Sequence, residues 1–318
     1  MSVGMMIHLL ARMRAVPFAV LCWTGLARSV APLRGARILT VHGTPRRHAA
    51  EFQRQLQYIR REFRVVPLPQ LVERLEDPKA NVDDMVALTF DDGLRSNLDV
   101  AYPLLRSLGL PATFFVCPGL IEQGRWLWTH ETRCRLRWME PNDRERIACA
   151  LGAPAEVDAF VEWMKHLEIG ERRATEERVR DATPEFVRSW SDHDDFDLAN
   201  WDELRQLDAE LITIGCHTMT HPILPSMGPE ALESEITESR RVLEERLQRK
   251  ADLFAYPNSD HNAEVRALVR ANYRAAVSCG RQSIVPGVDL HLLPRLDLPR
   301  GALRLALTMH RAEPQFAL

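Results

Sequence analysis

Val86-Ala87-Leu88-Thr89-Phe90-Asp91-Asp92-Gly93 is an apolar run that closes on two acids and a glycine. Val86–Phe90 has the β-branched and aromatic character of a strand, but it does not alternate apolar with polar. That pattern suits a parallel strand covered on both faces. Six further runs read the same way: Ile38–Val41, Ala112–Val116, Leu211–Gly215, Leu253–Tyr256, Ala275–Ser278 and Leu292–Leu296. Helical spacing lies between them. Within 230–250, Leu232, Ile236, Leu243 and Leu247 share one face, with charged residues opposite. A shorter helix is predicted over Asp99–Leu108, stopped by Gly109 and Pro111. Strands alternating with helices define an α/β chain, and seven strands joined by crossovers predict a barrel.

One segment breaks this rhythm. Residues 119–200 show no strand pattern, read as charged helix (Glu171–Arg180 is ERRATEERVR), and carry five of the seven tryptophans. They predict an inserted helical subdomain over one end of the barrel. For Trp126, Trp128, Trp138, Trp163 and Trp190, packing within the insert is the plain expectation. Stacking on sugar rings is the sharper one. The remaining divisions are a peripheral segment at 1–34, the barrel with its insert at 35–300, and a tail at 301–318.

Composition narrows the function classes. The chain has 318 residues, 46% hydrophobic and 27% charged, which excludes disordered and fibrous proteins. Acidic and basic residues nearly balance at 44 and 41, so no nucleic-acid partner is indicated. The six cysteines show no CxxC spacing, so they read as reduced thiols rather than zinc ligands. Ala15–Ala27 is an apolar run flanked by Arg14 and Arg28, too short to span a bilayer. It reads as a helix packed on the domain or in peripheral contact with a membrane surface, in a cytoplasmic protein. The alternative is an export signal cleaved near Ala31.

The chemistry sits at strand ends, where α/β barrels place their sites. Asp91 and Asp92 close one strand. Two adjacent buried acids are costly unless one of them meets a cation or a proton. After Leu211–Gly215 comes His217-Thr218-Met219-Thr220-His221, with two histidines four apart that can reach one metal. Two His and one Asp leave a coordination position open, the layout of a catalytic rather than a structural metal. Phe254-Ala255-Tyr256-Pro257-Asn258-Ser259-Asp260 and His291-Leu292-Leu293-Pro294-Arg295-Leu296 lie at two further strand ends.

Taken together these motifs resemble the polysaccharide deacetylases of the NodB-homology type, carbohydrate esterase family four, in the subset with a Phe-Ala-Tyr-Pro third motif. The resemblance spans about Arg37 to Leu298 without the insert, and Ile38–His42 resembles the family's first strand. It implies a distorted (β/α) barrel with about seven parallel strands. It implies a hydrolase that removes N-acetyl groups from an amino sugar in a polysaccharide or glycan precursor, with exopolysaccharide biosynthesis as a setting. Asp91 takes the general base's place, and Asp92, His217 and His221 those of the ligands to one divalent metal, Zn²⁺ or another first-row ion. The backbone around Asn258 takes the place of the oxyanion donor. Tyr256, Asn258, Arg295 and His42 are the candidate substrate-binding residues.

Two departures from the family matter. Ala255 stands where an arginine usually orients the base, which leaves Arg295 to approach Asp91 from the last strand. The late histidine that usually serves as general acid has no clean match, so His291 and His42 are both candidates. The other histidines, His130 among them, read as surface or packing residues. The rival functions are a related hydrolase of another C–N bond and a degenerate barrel that only binds glycan. An intact base beside the ligands argues against the second.

Overall fold

The structure, a computed structural model, describes residues 33–310 and 313–314. The Ala15–Ala27 run and the stretch near Ala31 lie outside the described residues. Seven strands form the frame: β1 Arg37–Val41, β2 Met85–Phe90, β3 Ala112–Val116, β4 Ile212–Cys216, β5 Leu253–Ala255, β6 Ala275–Cys279 and β7 Leu293–Asp297. Each pairs in parallel with its successor, and β7 returns to pair with β1, closing a (β/α) barrel. Arg64–Val65 adds a two-residue strand beside the start of β2.

Strand parity explains why the runs look apolar throughout. Leu39, Val86, Leu88, Phe90, Phe114, Ile212, Ile214, Phe254 and Leu296 belong to the cluster that faces the surrounding helices. Ile38, Ala87, Phe115, Leu253, Ala255, Val277 and Leu293, their neighbours one residue away, form a second cluster inside the barrel. Both faces are therefore buried. The interior is tight: a Cβ on Gly215 would stand 2.5 Å from the Phe115 ring, so only glycine fits beneath that side chain.

The outer helices follow the 3.6 period. Ala49–Glu62 buries Phe52, Leu56 and Ile59, and Pro229–Leu247 buries Leu232, Ile236, Leu243 and Leu247. Each fully buried Leu or Ile of this kind contributes about 1.5–3 kcal/mol. The helix expected over 99–108 divides into a π-helical turn at Asn97–Ala101 and an α-helix at Tyr102–Leu108, which Gly109 ends in a left-handed conformation. Within the stretch read from the sequence as a tail, residues 301–310 are ordered against the barrel. Ala302–His310 is a helix with Leu305, Ala306 and Met309 fully buried, and Gly301 N donates to Glu51 Oε1 at 2.6 Å. Leu305 and Met309 lie four apart, so one face of this last helix completes the outer layer.

Between β3 and β4 the helices Pro118–Gln123, Trp128–Trp138, Pro141–Leu151, Val157–Met164, Ile169–Asp181 and Trp190–Phe196 make up the insert. It has its own core of Trp128, Leu136, Phe160, Val161 and Met164, reinforced by an Arg172–Glu176 pair at 2.7 Å. Trp126 and Trp128 are buried, whereas Trp138 and Trp190 are 47% and 72% exposed. Among the described residues no helix is long and apolar enough to cross a membrane, and the five described cysteines are free.

Candidate active site

The parity that fills the barrel also aims its polar residues. On β2 the inward positions run Ala87, Thr89 and then Asp91; on β7 they are Leu293 and Arg295. Arg295 pairs in register with Ile38, and Ile38 with Ala87, so it starts well below Asp91 and reaches upward inside the barrel. Its guanidinium forks onto the acid: Nη1 donates to Asp91 Oδ1 and Nη2 to Oδ2, both at 2.7 Å. Nη1 also donates to Thr89 Oγ1 at 3.2 Å. Both residues are buried. Burial alone would raise the Asp91 carboxyl, but the Arg295 charge, with His217 and His42 nearby, outweighs it. The carboxyl is held well below the usual carboxylate range.

Asp92 points elsewhere. Its backbone turns through a left-handed conformation at φ 71°, followed by Gly93 at φ 70°. A Cβ on Gly93 would press on Val116 at 3.0 Å, so this turn needs glycine on both counts. The turn sets Asp92 Oδ1 3.6 Å from His217 Nε2 and 3.6 Å from His221 Nε2. These gaps are too wide for hydrogen bonds. Two ligand atoms about 2.0–2.2 Å from one tetrahedral ion lie roughly 3.3–3.6 Å apart, which fits a shared cation.

The electrostatics fit as well. Asp92 is buried, and among the described residues its ion-pair partners are these two imidazoles, with no lysine or arginine on it. The three ligand atoms fall within 4.8 Å of one another. His217 Nδ1 is 2.7 Å from Ala255 O, which puts the proton on Nδ1 and leaves Nε2 free as a ligand. Burial, with His217 beside it, pushes the His221 imidazole down to about 3, the neutral form that coordination requires.

The His217–His221 loop is braced from three sides. His217 N donates to Val116 O at 3.0 Å. Thr220 donates to Glu235 through both N, at 2.9 Å, and Oγ1. Trp128 Nε1 of the insert donates to His221 O at 3.2 Å. Thr218 and His221 hold φ values of 65° and 56°, a strain that this bracing sustains.

These groups open on a cavity of about 210 Å³, whose lining includes His42, Asp91, Asp92, His217, His221, Asn258 and Arg295. Clefts for drug-sized ligands run roughly 300–1,000 Å³, so the enclosed part suits one sugar ring and its substituent. Tyr256 also borders the cavity. Its ring packs in the outer cluster, however, and its hydroxyl donates to His291 O at 3.1 Å. Parity is the reason: Tyr256 follows inward Ala255 and so points outward. The structure does not bring His291 to the cavity. Its Nε2 lies 2.9 Å from Tyr273 O, outside the barrel, so it has no route to a leaving group. His42, at the end of β1, is exposed to water and lines the cavity.

Sequence reasoning missed the opposite wall. Leu127, Thr129, His130, Arg133 and Lys165 of the insert line the same space. The one available signal was Trp126-Leu127-Trp128-Thr129, where large aromatics alternate with smaller residues ahead of a helix.

Residues 79–276 match the polysaccharide deacetylase family over more than half the chain. The chain belongs to that family, whose reaction is hydrolysis of the amide C–N bond of N-acetylated sugars. Among solved structures it is similar to the Streptococcus pyogenes deacetylase PplD in complex with acetate. That likeness has a TM-score of 0.59 and 18% identity, over 88% of this chain and 99% of the other. It is also similar to IcaB from Ammonifex degensii, with a TM-score of 0.57 and 18% identity over 87% of this chain and 97% of that one. The BpsB deacetylase domain from Bordetella bronchiseptica matches with a TM-score of 0.51 and 16% identity over 82% and 94%. At these identities the likeness speaks to the fold. No curated protein sequence matches significantly.

Proposed function

We propose that the protein is a metal-dependent N-deacetylase of an amino sugar in a polysaccharide or glycan precursor. The observation that carries this reading is the division of labour between two adjacent acids. Asp91 forks onto Arg295, while Asp92 faces His217 and His221. Asp92, His217 and His221 would hold a divalent cation, Zn²⁺ or another first-row ion. When bound, that ion would supply Lewis acidity and acidify water at the site.

The chain's own residues do the rest. Asp91 stays ionised because Arg295 neutralises it, and it accepts the proton of the attacking water as general base. Arg295 also fixes the orientation of the carboxylate, since a two-point fork does not rotate. The turn at Pro257–Ser259 spends the amides of Ser259 and Asp260 on Tyr256 O and Pro257 O. Asn258, at φ 51°, lines the cavity, and its N–H, which keeps no partner among the described residues, is the candidate donor to a developing oxyanion. His42 supplies the proton to the leaving amine, because it lines the cavity in contact with water. Acetate and a free amine leave.

The deciding experiment is acetate release from N-acetylglucosamine oligomers by metal-loaded protein, with Asp91→Asn alongside. Release by the wild type and its loss in the variant support the reading. Metal bound in both with no release from any N-acetyl glycan refutes it. The place of action rests on residues 1–31. Retained in a cytoplasmic protein, they favour a lipid- or nucleotide-linked precursor. Removed near Ala31, they favour an exported polymer. N-terminal sequencing of the mature protein separates the two.

A further inference from the structure

We infer that His130, carried to the cavity by the helical insert, is held as its neutral Nε2–H tautomer and donates that hydrogen bond to the bound sugar. The identity of the ligand rests on the deacetylase reading; the tautomer does not.

His130 sits in the first turn of the helix Trp128–Trp138 and lines the cavity together with Asp91, Asp92, His217 and His221. Its place is fixed at two points. Its ring lies on Phe196, with centroids 4.6 Å apart at 33°, and Trp128, two residues earlier, is anchored on His221 O. The two ring nitrogens differ in their surroundings. Nδ1 is buried with no hydrogen-bond partner, whereas Nε2 is not among the buried unpartnered atoms and makes no hydrogen bond within the described protein. Nε2 is thus the nitrogen open to the cavity.

One proton has to be placed on this ring. On Nδ1 it would be a buried N–H without an acceptor, an arrangement that folded proteins avoid more strictly than an idle acceptor. On Nε2 it meets water or a ligand. A second proton would leave a charged N–H buried and unsatisfied, at greater cost. In agreement, burial, with Arg133 and His42 close by, pushes the imidazole down to about 3.

The two cations on this wall are held in ion pairs. Arg133 pairs with Asp158 at 2.7 Å and Lys165 with Glu162 at 2.9 Å. His130 therefore presents a fixed neutral donor opposite the metal ligands, suited to a sugar hydroxyl or an acetamido oxygen. The two cavity histidines divide by exposure: His42 meets water, while His130 holds and orients.

Three substitutions in the full chain test this: His130→Gln, His130→Asn and His130→Ala. A glutamine amide nitrogen reaches about where Nε2 stands, and an asparagine nitrogen about where Nδ1 stands. Ala and Asn should raise KM for an N-acetylglucosamine oligomer about tenfold, the loss of a neutral hydrogen bond, with kcat little changed. Gln should stay within about threefold of wild type on the same scale. A large and equal loss of kcat in all three would make His130 a proton donor and overturn the inference. Wild-type kinetics in all three would overturn it as well.

A readout without turnover is ¹⁵N NMR of histidine-labelled wild-type protein. It should show the His130 proton on Nε2 and Nδ1 bare. An Nδ1–H tautomer or an imidazolium would refute the assignment even in a folded, inactive protein. If the wild type releases no acetate from any glycan, the deacetylase reading falls, while the tautomer is still decided by the spectrum.

Discussion

The barrel mouth and the helical insert wall one cavity from two sides, and they hold their side chains by different means. On the barrel side the chemistry sits on strained backbone. Asp92, Thr218, His221, Asn258 and Ser259 all adopt positive φ, at about 1–3 kcal/mol each. On the insert side, none of the described non-glycine residues does so. His130, Arg133 and Lys165 stand on or at the end of ordinary helices. A hydrogen-bonded closed sheet can impose strained turns on its loops; a small bundle with its own core cannot. The barrel therefore supplies the groups that must be placed to fractions of an ångström, and the insert supplies the facing wall of the cavity.

This contrast can be broken by experiment, and the largest effects belong to the barrel. Stripping divalent cations with a chelator, or replacing His217 by Ala, should reduce acetate release to background. Metal analysis should show stoichiometric ion in the wild type and none in the variant. Asp91→Asn should lower kcat by about 10²–10⁴ with metal content unchanged, the range for a lost general base. A fall in metal content instead would move Asp91 into the ligand set.

Arg295→Met removes the fork and leaves Asp91 buried and unpaired. Urea unfolding should show a loss of about 3–5 kcal/mol, as for a broken buried pair. The pH profile carries a sign. Arg295 holds the Asp91 carboxyl low, and the ionised form is the active one. Without Arg295 the carboxyl rises, so the acid limb of kcat/KM should move to higher pH. An unmoved limb would mean that something else sets it.

The insert should give smaller effects. Trp128→Phe removes the Nε1 bond to His221 O and should cost about 1 kcal/mol in stability. A reduced metal affinity should accompany it, because a brace behind a ligand is lost. Trp190→Ala, on a side chain 72% exposed, should stay within about 0.5 kcal/mol of wild type in thermal unfolding. Glycan affinity measured on the same variant shows whether this tryptophan also stacks on sugar. An insert variant as damaging as Asp91→Asn would erase the distinction between the two walls.

Much of this was legible in the residues because it is local. Val86–Phe90 and its six counterparts are strands by composition, and their two-sided burial is written in their lack of alternation. Asp91 and Asp92 are adjacent, and His217 and His221 are four apart, so each pair comes with its strand end already attached. The barrel and its candidate metal site follow from such short pieces. Tyr256 is less legible: its strand-end place suggests a substrate contact, and it borders the cavity, but its ring packs in the outer cluster beside inward Ala255.

What needed the tertiary structure is whatever depends on closure. Arg295 lies 204 residues from Asp91, and only the return of β7 to β1 puts its fork on that acid. His291 looked equivalent to His42 as a proton donor until the layers were assembled and it fell on the outer side. His130 shows no motif at all. It became a cavity residue because a separate helical core, anchored through Trp128 to the His217–His221 loop, carries it there. Sequence determines local conformation and the chemistry at a strand's end. Which distant side chain completes a charge pair, and which nitrogen of an imidazole is left open, is decided by burial in the assembled fold.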